Sequence, residues 1–161
     1  DLGANVIDRP MELSTDKSTT VSALKHTLQS LEEEFDVVIL LQPTNPLRPK
    51  DLSQNAFKTF KEKKCDSLMT VSKNDKKLGK IVNGNFEPYT YKMGQRSQDL
   101  EPLYFENGLL YITKTELILN DKILGENNVP FILNHPYAKV DIDTAEDFNY
   151  AEFILKNYPN E

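Results

Sequence analysis

The sequence predicts an α/β domain built on a mostly parallel sheet, and three observations carry that reading. Short apolar runs rich in β-branched residues alternate with segments whose apolar residues recur every three or four positions, the pattern of strands joined by covering helices. The run Val37 to Leu41 is too short for a buried helix and is continuous, the signature of a parallel strand covered on both faces. It stops abruptly at Gln42-Pro43-Thr44-Asn45-Pro46-Leu47-Arg48, a polar loop pinned by prolines. Gln42 therefore stands at the carboxyl end of a central strand, where open α/β sheets bind ligands.

The remaining elements follow from periodicity and punctuation. Val6-Ile7 reads as a strand remnant, and Val21, Leu24, Leu28, Leu31 and Phe35 draw one apolar stripe on a helix that Asp16 or Ser18 would cap. After the strand ending at Leu41 comes a helix from about Asp51 with Leu52, Ala56 and Phe60 inward, then a strand near Ser67 to Val71. From Lys73 to Gln98 the alternation breaks. Ile81-Val82-Asn83-Gly84-Asn85-Phe86 reads as a hairpin turning at Asn-Gly, so residues 73–98 form an excursion from the sheet. A strand from Leu109 to Thr113, a short helix around Thr115 to Asn120 and a strand near Phe131 to Leu133 complete the sheet. The last helix starts at Thr144, with Asp147 three positions on as in a capping box, and presents Phe148, Ala151, Ile154, Leu155 and Tyr158 as its apolar face.

Composition narrows the class. At 161 residues the chain holds one domain with a real core. Nineteen basic against 25 acidic side chains give a formal charge of −6 with no compensating basic block, which argues against nucleic acid and anionic membranes as partners. A single cysteine, Cys65, excludes an internal disulfide framework and fits a reducing compartment; with no long apolar stretch, the reading is a cytoplasmic chain.

Asp141 and Asp143 are the sharpest chemical pair. Residues two apart in an extended segment share a face, so both carboxylates can approach one hard cation; alternatively they cap the helix that follows. The Gln42 amide both donates and accepts, which suits a hydroxylated ligand or a loop satisfying its own backbone. Arg9, before Pro10, can address a nucleotide or a surface carboxylate, and Thr19 and Thr20 at a helix start suit an anion or a cap. Arg48 reads as structural, Asn107 before Gly108 as a turn former, and Cys65 as a small buried side chain. His26 and His135 have neither metal-ligand spacing nor a nucleophile to serve, and without a Ser-His-Asp set hydrolysis is unattractive.

Leu40-Leu41-Gln42-Pro43-Thr44-Asn45-Pro46-Leu47-Arg48 resembles the LLQPTSPLR signature of the acylneuraminate cytidylyltransferases, with Asn45 where serine is usual. Arg9-Pro10-Met11-Glu12-Leu13 with Asp16 and Thr19-Thr20, Glu106-Asn107-Gly108-Leu109-Leu110-Tyr111-Ile112 after Gln98-Asp99-Leu100, and Asp141-Ile142-Asp143-Thr144-Ala145-Glu146-Asp147 agree in the family's order. The resemblance implies a Rossmann-like sheet of the nucleotide-diphospho-sugar transferase type and a reaction of CTP with a nonulosonic (sialic-type) acid. It implies magnesium on Asp141 and Asp143, the sugar at Gln42 and Asn107, and the cytidine moiety by Arg9, Thr19 and Thr20. Sialic-type sugars carry a carboxylate at the anomeric carbon, and Lys80 and Arg96 are the candidates to neutralise it. Arg96 falls one residue earlier than the family's arginine, with Ser97 in that place. The family is dimeric, so the excursion would reach a second subunit and complete its site.

No segment resembles the family's basic, glycine- and serine-containing triphosphate loop. Residues 1–161 are thus expected to be one truncated cytidylyltransferase domain lacking the first βαβ portion, inactive alone. Two rivals remain: a glycosyltransferase using Asp141-Ile142-Asp143 as its metal motif, and a non-enzymatic remnant that binds sugar or dimerises.

Overall fold

A computed structural model describes residues 3–159. In chain order its main elements are α1 (Thr20–Ser30), β1 (Val37–Leu40), α2 (Leu52–Lys63), β2 (Ser67–Asn74), β3 (Gly79–Val82), β4 (Asn85–Pro88), β5 (Leu103–Lys114), α3 (Thr115–Leu119), β6 (Asn128–Ile132) and α4 (Ala145–Asn157). Four strands pair into one mixed sheet in the order β1-β5-β2-β6. β5 runs antiparallel to both β1 and β2, while β2 and β6 are parallel. β1, β2 and β6 therefore share one direction, and β5 alone opposes them. The cause lies in the connections: a helix returns the chain between β1 and β2, as parallel strands require, whereas the excursion delivers β5 from the opposite end.

Leu52, Ala56 and Phe60 of α2 pack as anticipated on Leu68, Leu109, Leu110 and Ile112 of the sheet, joined by Cys65 and Ala138. Each fully buried leucine or isoleucine there contributes about 2 kcal/mol of transfer free energy. Tyr137, Val140, Ala151 and Ile154 form a second cluster under α4.

β5 carries an irregularity that shapes the rest of the molecule. Met69 faces Tyr111 and Val71 faces Glu106, so the four residues 107–110 lie opposite Thr70 alone. Gly108 holds a left-handed φ of 72° within this bulge, a conformation open to glycine at little cost. Thr70 repairs the interrupted ladder, its hydroxyl accepting the Leu110 N–H and donating to the Leu110 carbonyl.

The hairpin forms as expected. β3 and β4 pair as a separate two-stranded sheet, and Asn83 and Gly84 both take positive φ, as a primed turn requires. The capping box is also present: the Thr144 hydroxyl accepts the Asp147 N–H, and the Asp147 carboxylate accepts the Thr144 N–H.

Other expectations are corrected. Val6-Ile7 forms no strand, and Val6 is left exposed. Neither Asp16 nor Ser18 caps α1; Thr19 does, its hydroxyl accepting the Ser22 N–H. The helix ends at Ser30, so Leu31 and Phe35 fall outside it and are exposed. β1 lies at the sheet's edge and is not covered on both faces, with Ile39 42% exposed. β2 and β5 run beyond their predicted bounds, and β6 starts at Asn128, since a backbone ladder does not depend on apolar side chains. On α4 only Ala151 and Ile154 are buried, while Phe148, Leu155 and Tyr158 remain exposed.

Candidate functional site

The loop after β1 is held by its own residues. Arg48 turns inward, donating from Nε to the Leu109 carbonyl (2.8 Å) and from Nη2 to the Gln42 carbonyl (2.7 Å), the structural role its sequence suggested. Burial lowers its pKa from the ordinary arginine value. Asn45, 2% exposed, donates from Nδ2 to the Val140 carbonyl at 2.8 Å. The Thr44 carbonyl accepts the Ile142 N–H, also at 2.8 Å. These two bonds tie the Gln42 loop to the segment carrying Asp141 and Asp143, almost a hundred residues later in the chain.

Asp141 and Asp143 are exposed, and neither carboxylate takes part in the cap of α4, which Thr144 and Asp147 complete by themselves. Only the backbone N–H of Asp143 contributes, donating to Asp147. Three acceptor bonds hold Asp147 below the usual carboxylate range, led by the one from the Thr144 hydroxyl. Asp141 and Asp143 thus remain available as ligands. Among the described residues no three His, Cys, Asp or Glu side chains gather into a protein cage. A pair of carboxylates with places left for phosphate oxygens fits magnesium, which rarely uses all-protein cages.

The β5 bulge closes the third side. A Cβ on Gly108 would stand 2.4 Å from Asn45 Oδ1 and 2.7 Å from Gln42 Oε1, so both amides rest on the glycine. Tyr111, which faces Leu40 across the ladder, is 8% exposed and donates its phenolic proton to Glu106 at 3.0 Å. Burial first, then the Glu106 hydrogen bond and the charges of Glu106 and Asp141, push its pKa up to about 12. Asn107 is buried within β5 and not at its entrance; its Nδ2 donates to Ser72 Oγ, and its Oδ1 accepts the Leu109 N–H.

The structure brings Gln42 and the two aspartates to one end of the sheet, buries Asn107 in β5, and leaves Arg9, Thr19, Thr20, Lys80 and Arg96 on the surface. Arg9 is exposed, follows no strand, and bonds through Nε to Ser14 Oγ. Thr19 is the α1 cap and Thr20 its first residue. Lys80, on the hairpin, lies 3.9 Å from the Tyr89 ring centroid. Arg96 makes a two-pronged ion pair with Asp99 at 2.8 and 3.1 Å. His26 meets the Asp8 carbonyl, and His135 accepts the Tyr137 N–H, so both are structurally engaged. Sequence reasoning missed Asn45 as the anchor of the loop, and Glu106 and Tyr111 as a bonded pair. The five-residue spacing of the last two straddles a bulge, and alternation along a regular strand does not predict such a contact.

Three co-directional strands, one antiparallel strand among them and a polar loop tied to the segment of paired carboxylates define an α/β protein with a candidate site at the strand ends. The chain belongs to the cytidylyltransferase family, whose model matches residues 1–158. It is 32% identical over 158 residues to the N-acylneuraminate cytidylyltransferase of Streptococcus agalactiae, covering 91% of this chain and 36% of that protein. It is likewise 32% identical over 162 residues to the CMP-N,N'-diacetyllegionaminic acid synthase of Legionella pneumophila, covering 92% of this chain and 67% of the relative. The chain thus spans about a third of the length of the first of these relatives. In fold it is similar to the 4-diphosphocytidyl-2C-methyl-D-erythritol synthase of Anaerococcus prevotii, with a TM-score of 0.60 and 14% identity over 87% of this chain and 68% of that one.

Proposed function

We propose that the chain supplies the sugar and metal side of an enzyme that activates a nonulosonic acid with CTP, yielding the CMP-sugar and pyrophosphate. The observation that carries this reading is the tethering of the Gln42 loop to the Asp141–Asp143 segment through Asn45 to Val140 and Ile142 to Thr44. That pairing places a neutral amide, suited to sugar hydroxyls, on the same end of the sheet as two carboxylates suited to a cation bound to phosphate. The relatives' names, N-acylneuraminate cytidylyltransferase and CMP-N,N'-diacetyllegionaminic acid synthase, support the substrate class.

In the reaction, the sugar's anomeric oxygen forms a bond to the α-phosphorus while the bond from that phosphorus to the bridging oxygen breaks, and pyrophosphate leaves. No covalent enzyme intermediate forms. Such a transfer depends on positioning and charge neutralisation. Gln42 orients the sugar, on a floor that Gly108 keeps flat. Asp141 and Asp143 would hold magnesium, which supplies charge neutralisation for the phosphate oxygens. Arg9, Thr19 and Thr20 serve the nucleotide, and Asn107 contributes through the bulge. Lys80 and Arg96 meet the sugar carboxylate from a second subunit, so the working unit is a homodimer, with each hairpin reaching its neighbour.

The test is pyrophosphate release in a full-length cytidylyltransferase carrying this segment. Asp141→Asn and Asp143→Asn each abolish magnesium-dependent release while leaving the melting temperature near that of the parent. Wild-type release from both variants overturns the metal assignment, and transfer of sugar from a nucleotide-sugar without pyrophosphate release favours the glycosyltransferase reading.

A further inference from the structure

Beyond that site, a cavity of about 500 Å³ opens between β2, the start of β5, the chain after β6 and α4. Gln42, Asp141 and Asp143 do not line it, and it meets the site described above only where Asn107 donates to Ser72. Lys73 and Lys139 line it, with Asp75 the acidic residue among its walls. His135 adds an imidazole to the lining. Its Nδ1 accepts the Tyr137 N–H, so the neutral ring carries its proton on Nε2.

The walls are built rather than incidental. Tyr137, 1% exposed, packs edge-on against the His135 ring at 4.4 Å, and its hydroxyl donates to the Tyr158 carbonyl at 2.6 Å. One buried side chain thus fixes two parts of the lining. Phe105 and Tyr150 add two aromatic residues to the lining. At the floor, Ser72 donates to the Leu133 carbonyl and accepts from Asn107, so the cavity adjoins the β5 bulge through a single hydroxyl.

We propose that this cavity is a second ligand site, for a phosphate monoester carried on a planar ring. The two ammonium groups and the imidazole N–H answer a compact dianion, for which charge-assisted hydrogen bonds are the strong kind. The aromatic walls answer the ring, since an aromatic face stacks on any planar base. A nucleoside monophosphate meets both requirements and is small enough for the volume.

The chain holds two histidines, which makes the test direct. His135 lines the cavity and His26 binds the Asp8 carbonyl on another part of the molecule, so their ring proton resonances are reporter and internal control. CMP, added to the 161-residue chain at constant pH, is expected to move the His135 signals saturably and leave His26 in place. Lys73→Gln and Lys139→Gln, both exposed lysines, each weaken the response by about tenfold, in line with a lost charge-assisted contact. Inorganic phosphate binds more weakly than CMP, and cytidine binds least. Absence of a saturable His135 shift, equal shifts at both histidines, or an affinity unchanged in the lysine double variant overturns the site. Equal affinity for phosphate and CMP overturns its recognition of the ring. Asp143→Asn leaves CMP binding unchanged, whereas loss of binding there reassigns the ligand to the site described above.

Discussion

Gly108→Ala puts the architecture of the loop to a quantitative test. The substitution adds one methyl at a φ of 72°, where an L-residue with a Cβ pays about 1–2 kcal/mol for the left-handed conformation. The methyl would also stand 2.4 Å from Asn45 Oδ1 and 2.7 Å from Gln42 Oε1, closer than non-bonded atoms tolerate. Gln42 has room to swing away. Asn45 does not, because it is 2% exposed and its Nδ2 is bonded to Val140. Displacing it strands a buried carbonyl, at a cost of about 1–3 kcal/mol. The two effects together predict a loss of about 2–5 kcal/mol, a large share of the roughly 5–15 kcal/mol that stabilises a typical domain. Urea unfolding of the variant and its parent measures the loss directly. Asn45→Ala in the same background supplies the control: with the clash partner gone, the double variant should lose less than the sum of the single losses. A Gly108→Ala midpoint equal to the parent's, or strict additivity with Asn45→Ala, would refute the claim that the glycine is the floor of the site.

Two further outcomes are expected. On the proposed function, Arg96→Ala in a full-length cytidylyltransferase carrying this segment should raise the apparent KM for the acidic sugar far more than that for CTP; sedimentation showing only monomer, with an unchanged sugar KM, would sink both the proposed interface and the clamp. The Tyr111 phenol, raised to about 12, stays neutral in the folded chain after unfolded tyrosine has ionised near about 10. Its contribution to stability is therefore full below about pH 10 and is lost as pH rises through about 12. Ultraviolet titration of tyrosinate should show a late-ionising phenol that ionises earlier in Glu106→Gln, with burial still holding it above the ordinary value. An unaltered titration in that variant would remove the Glu106 contribution.

Local chemistry was legible in the residues themselves. Leu52, Ala56 and Phe60 recur on one face of α2, Asn83-Gly84 demands a primed turn, and Thr144 with Asp147 closes a capping box, because each signal is complete within a few neighbouring positions. The Gln42 loop and the Asp141–Asp143 pair were legible as motifs for the same reason. Burial was not, because it depends on which surface arrives from far along the chain. Val37 to Leu40 has the composition of a strand buried on both faces yet lies at an edge, and the Phe148 and Leu155 side chains of α4 stay more than half exposed. The contacts that assemble the site are likewise long-range: Asn45 to Val140, Thr44 to Ile142, Arg48 to Leu109. A backbone carbonyl accepts a hydrogen bond whatever side chain it carries, so no residue letter marks it as a partner. The sequence by itself determined the elements, the turn and the chemical groups on offer, while only the tertiary structure decided that a bulge at Gly108 would let β5 approach the loop and join those groups at one end of the sheet.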